Sequence, residues 1–237
     1  MPIPQNLTGL HMLEEDLRAR SLRCINSSEE LSDHLESLHD AMDHLTVLIR
    51  VGTAPGSRQH TLQLLAIRLL NNAASVLKLG LSGYYQVGFQ LIREMLELVN
   101  LVDLFSVEPD KIDVWRTADH KTHKEVFYPV KVRQALEKHP RFSGHRRDGL
   151  YKTFSNYAAH PTYKGFQLIA PGNTPQIGAF FDEQLLGALL YEAGRHLPHA
   201  TISLSLVFGE VDESVLLAKA AYVNQLRRYH DKYVQVK

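Results

Sequence analysis

The sequence predicts an all-α fold, a helical bundle of long antiparallel helices carrying a short irregular or hairpin insertion near 165–181. Three observations predict it. Leucine supplies 36 of the 237 residues, and through the long segments apolar side chains recur at three- and four-residue spacing instead of alternating. Breaker clusters at Gly52 to Gly56 and Pro140 to Gly144 fall between those segments. No internal repeat, low-complexity tract or linker interrupts the chain, so 1–237 reads as a single all-helical domain. Its N-terminal helices occupy 1–55, a core 57–160 and a C-terminal helical pair 182–235.

Residues 29–51 give the clearest helix. Leu31, Leu35, Leu38, Met42, Leu45 and Ile49 form one stripe, Ser27 and Ser28 supply N-cap chemistry, and Gly52, Pro55 and Gly56 end it. Residues 57–81 and 84–106 are two long helices separated by Ser82-Gly83, a break short enough for an antiparallel turn. The second is nearly all apolar, which places it centrally or at a subunit interface. Its exception Arg93 is expected to pair with Glu94 or Glu97 as a buried or semi-buried ion pair. A short helix is expected within 109–124, another over 125–139, and a third over 147–159 stopped by Pro161. Helices 182–208 and 212–233 finish the chain, the first breaking or kinking near Pro198.

Composition removes several function classes. A single cysteine, Cys24, excludes intramolecular disulfides and cysteine-cluster metal sites, and fits a reducing cytoplasm. No basic leader followed by an apolar run and no uninterrupted spanning segment is present, so a cytoplasmic protein without a membrane partner is expected. Phosphate-loop, GxGxxG, GxSxG and HExxH motifs are absent. Net charge is zero, yet residues 1–50 hold four Lys/Arg against nine Asp/Glu while 116–152 hold ten against four. Solvated helix faces account for the acidic block. The basic block interleaves Arg141, His145, Arg146, Arg147 and Lys152 with Phe142 and Tyr151, a pattern suited to RNA.

The 13 histidines invite a metal site, but their spacing resists one. His34, His39 and His44 step by five, roughly 500° of rotation, which spreads them around a helix. The pairs His120/His123 and His196/His199 lack the carboxylate spacing of a bundle metal site, so no metal and no cofactor is expected. Cys24 follows Arg18, Arg20 and Arg23, which would favour a thiolate, but no partner histidine can be assigned, and a buried structural cysteine is expected.

The informative segment is LYKTFSNYAAHPTYKG, 150–165, where Asn156 and His160 stand at the end of a helix terminated by proline. Together with LGLSGYYQVGFQLIREMLELVNLVDLF at 79–105, it resembles the uncharacterised bacterial helical families of the HEPN superfamily, including phage-abortive-infection relatives. The resemblance covers roughly 75–165 and makes 57–160 a HEPN-like core. It implies a dimerising bundle and a metal-independent ribonuclease motif, Arg-Asn-x-x-x-His. The matching stretch here is Ser155-Asn156-Tyr157-Ala158-Ala159-His160, with serine in place of arginine. Asn156 and His160 carry over as catalytic candidates, with Arg146, Arg147, Lys152, Tyr157 and Tyr163 as binding candidates.

Two readings follow, with a third behind them. The first is a homodimeric RNA-, nucleotide- or partner-binding module that has lost its arginine, with a cognate protein as one partner class. The second is a toxin- or phage-defence-type RNA endonuclease using His160 and a relocated cation, Arg147 or Lys152. The third, a bundle metalloprotein, requires histidines and carboxylates to converge inside the bundle.

Overall fold

The computed structural model describes residues 5–142, 146–209 and 212–233. Among the described residues ten α-helices follow in order: α1 Gln5–Asn26, α2 Glu29–Ile49, α3 Arg58–Leu81, α4 Tyr85–Val107, α5 Lys111–Thr117, α6 His120–Thr122, α7 Pro129–Lys138, α8 Arg146–Phe154, α9 Glu183–Val207 and α10 Glu213–Tyr233. The long helices begin where side-chain acceptors meet the first free N–H groups. Ser28 caps α2, Ser57 caps α3 and Asp182 caps α9, accepting from Leu31, His60 and Leu185 respectively. Gly83 turns α3 into α4 at φ +83°, and a Cβ there would lie 2.2 Å from the Phe180 carbonyl oxygen.

Helices α2, α3, α4 and α9 make the core, with α9 packed against the other three, α10 flanking α2, and α7 and α8 laid over α4. Leu38, Leu45, Leu69, Ile92, Met95 and Leu189 are fully buried within it. By length and composition α3 is apolar enough to cross a membrane, but its row Leu62, Leu65, Leu69 and Val76 is buried against its neighbours. The apolar excess of α4 is also consumed within the chain. Among its large hydrophobic side chains only Val87 is exposed, so this helix gives no reason for a second copy.

The structure decides one alternative and changes two expectations. The segment near 165–181 is irregular and not a hairpin: it forms 3₁₀ turns at Tyr163–Leu168 and Pro171–Asn173, with no strand among the described residues. Its apolar runs are split, Leu168 and Ala179 facing inward while Ile169 and Ile177 face solvent, so no strand pair has a common buried face. The helix expected over 125–139 starts only at Pro129, because the residue before proline is driven to extended geometry and Tyr128 sits at ψ 139°. Before it, the chain forms a π turn, His123–Phe127.

Helix α9 does not break at Pro198. Proline offers no N–H to the Gly194 carbonyl one turn back, and the Ser37 hydroxyl of α2 donates to that oxygen instead, at 3.1 Å. Glycine at 194 permits the approach, since a Cβ there would stand 2.8 Å from the His34 carbonyl oxygen.

Candidate functional site

Helix α8 runs directly into a π turn, Ser155–Ala159, closed by the His160 N–H donating to the Ser155 carbonyl at 2.9 Å. Such turns recur where a helix must re-aim side chains. Pro161 forces His160 to extended geometry (φ −103°, ψ 144°), while the Gln90 amide of α4 donates to the Ala158 carbonyl at 2.8 Å and pins the turn to the core. The result is a cleft of about 470 Å³ between α7 and α8, lined by Arg133 and Glu137 on one side and by Asp148, Lys152, Asn156 and His160 on the other. His160 is exposed, and no described residue hydrogen-bonds its ring.

Behind the cleft stands Tyr151. Its hydroxyl donates to Glu97 at 3.1 Å and accepts a short bond from Arg93, and its ring lies 3.8 Å from the Arg133 guanidinium carbon and 4.8 Å from that of Arg93. Arg93 also donates to the hydroxyl of buried Ser155 at 3.1 Å and pairs with Glu97 at 3.0 Å, both partners about a quarter exposed. The Arg93–Glu97 pair is therefore semi-buried. Glu94 is not part of it. It faces the other way, 2.7 Å from Arg68 of α3, because consecutive helical residues point about 100° apart.

The binding candidates separate. Lys152 lines the cleft, held 2.6 Å from Asp148. Arg147 turns to the opposite side, 2.7 Å from Asp103 of α4 and 2.6 Å from the Asn100 amide oxygen, and so is no substitute cation beside His160. Tyr157 packs on the core, and Tyr163, 89% exposed, stands outside the cleft against Phe166. The side chain of Arg146, and all of His145, lie outside the described residues.

No family model, curated protein or solved structure matches this chain.

Asp103 is a buried charge with partners on three sides. Fully buried, it accepts from His199 at 2.9 Å and Ser203 at 2.8 Å besides pairing with Arg147. Burial pushes its carboxyl up, but His199, Arg147 and Ser203 together outweigh that and hold it below the usual range. Two other histidines are buried in packing contacts. His44 stacks on Tyr222 and meets the Ser205 hydroxyl at 2.8 Å, and burial, aided by Lys219, drops its pKa to about 4. His34 meets the Tyr229 hydroxyl at 3.0 Å, whereas His39 points outward beside Asp43. Among the described residues no three His, Cys, Asp or Glu side chains converge as metal ligands, which leaves the metalloprotein reading without its required cluster. Cys24 is half-buried, not fully buried, and burial followed by Glu183 raises its thiol against the pull of Arg20.

Sequence reasoning missed Arg133 and Tyr151 as parts of one wall. A signal existed in α7, where Arg133 falls beside Val132 and Leu136 on the buried stripe, an unusual place for an arginine.

Proposed function

We propose that this protein is a HEPN-like RNA-binding module that receives single-stranded RNA in the α7/α8 cleft. The observation that carries the reading is the convergence of His160, Asn156 and Lys152 on one concave surface, with the His160 ring exposed and bonded by no described residue. Supporting it, Tyr163 and Phe166 stand exposed and edge-to-face just beyond the cleft residues in sequence, flat surfaces on which unstacked bases can lie. A homodimer, implied by the resemblance, belongs to the same proposal.

A second reading, a metal-independent endonuclease, is favoured by one observation: Arg93 of α4 places its guanidinium on Ser155, the position where the resembled motif has arginine. In that chemistry a cation offsets charge gathering on the phosphate oxygens while His160 moves the proton. One experiment reads both. Labelled single-stranded RNA titrated in chelator at low salt is expected to bind with an affinity that falls steeply as salt rises. His160→Ala should weaken binding by about tenfold at an unchanged melting temperature. Intact RNA on a gel supports the binding module, whereas cleavage abolished by His160→Ala supports the nuclease. Wild-type protein that neither binds nor cleaves RNA overturns both.

A further inference from the structure

Among the described residues four buried side-chain polar atoms have no hydrogen-bond partner, and two of them, Nε and Nη1, belong to Arg133. The side chain is only 6% exposed and lines the cleft. Its third nitrogen, Nη2, reaches Asp148 at 3.5 Å, the outer limit of a hydrogen bond, while Asp148 gives its short contact, 2.6 Å, to Lys152. The Tyr151 ring lies against the guanidinium, its centroid 3.8 Å from the central carbon, without supplying an acceptor for these N–H groups. A desolvated guanidinium with unmet donors is unfavourable unless an acceptor arrives from outside.

The neighbouring groups indicate which acceptor. Lys152 and the Asn156 amide offer donors from α8 and the π turn, opposite Arg133 on α7, and a ring N–H of His160 adds another. A tetrahedral oxyanion presents oxygens in several directions to such a set, where a planar carboxylate presents two in one plane. Glu137 lines the same cleft and opposes any anion, so attraction rests on the unmet arginine donors and not on net charge. We propose that the cleft binds a phosphoryl group, with Arg133 as its inner anchor and Asp148 as the carboxylate that the phosphoryl group displaces. This rests on the RNA reading only for its natural source, since an internal RNA phosphate, an RNA end and a free nucleotide share the chemistry. The hydrogen bond from Lys152, with the charge of Arg133, holds the Asp148 carboxyl below its usual range, so the competitor stays ionised at neutral pH.

The test uses the full-length chain with inorganic phosphate and with RNA decamers carrying a 5′-phosphate or a 5′-hydroxyl. Phosphate at millimolar concentration is expected to raise the wild-type melting temperature, and Arg133→Gln to remove the shift. Asp148→Asn should tighten phosphate and RNA by about tenfold, because it removes the competing charge while keeping the shape. A 5′-phosphate preference would identify an RNA end, and equal binding an internal phosphate; both support the site. RNA binding that is indifferent to Arg133→Gln and Asp148→Asn overturns the phosphoryl site and leaves the RNA reading intact. Arg133-dependent phosphate binding without RNA binding removes only the RNA source. If Arg133→Gln fails to fold by circular dichroism, Asp148→Asn decides alone, and unchanged or weaker phosphate binding overturns the proposal.

Discussion

Two arginines of the same basic stretch meet aspartates in opposite ways. Arg147 reaches Asp103 at 2.7 Å, and that carboxylate, wholly shielded from water, is also bonded by His199 and Ser203. Arg133 reaches Asp148 at 3.5 Å across an open cleft and keeps two buried N–H-bearing nitrogens unpartnered. The first arrangement ties α8 to α4 and α9 through a carboxylate whose partners all come from within the chain. The second leaves two buried donors unpartnered on a side chain that lines a cleft. Completeness of partners, not charge or residue type, separates a structural ion pair from a binding site here.

The comparison can be broken most forcefully at Asp103. Asp103→Ala leaves Arg147 without its buried counter-ion and should cost about 3–5 kcal/mol in urea unfolding, whereas Asp148→Ala, which loses a short contact to exposed Lys152 and only a 3.5 Å approach to buried Arg133, should cost about 1 kcal/mol. Equal losses would mean that the two pairs do the same work. Acid sharpens the interior side. His44 is neutral in the fold with a pKa of about 4 and takes a proton near its ordinary 6.5 once unfolded. The unfolded chain therefore binds more protons between those values, and stability should fall by up to about 3 kcal/mol as pH drops from 6.5 to 4. Urea midpoints across that window check it, and His44→Asn should flatten the slope. The smallest effect belongs behind the cleft. Glu97→Gln, at a pair roughly a quarter exposed, should cost about 1 kcal/mol, and Glu94→Ala, on the more exposed Arg68 pair, about 0.5 kcal/mol or less.

The long helices were legible because their signals are local: the Leu31-to-Ile49 stripe, the Ser28 and Ser57 caps and the Ser82-Gly83 turn all lie within a few residues of what they control. Asn156, His160 and Lys152 were legible as neighbours because one short segment carries them into one cleft. Arg147 was misplaced because a helix carries Arg147 and Lys152 on different faces, and only the position of Asp103, 44 residues earlier in the sequence, decides which face turns inward. Arg133 and Arg93 come to the site from α7 and α4, and that meeting is a property of how three helices pack. Spacing along one segment carries no trace of it.

The bond from Ser37 to the Gly194 carbonyl has a bearing on how this sequence can vary. The serine is needed there because proline stands at 198, and proline is tolerated mid-helix because the serine is there. Losing the hydroxyl alone strands a buried carbonyl, while an N–H restored at 198 makes the hydroxyl dispensable. Positions 37 and 198, on helices remote in sequence, are therefore epistatic: the order in which they mutate determines whether the intermediate chain keeps its α2–α9 seam.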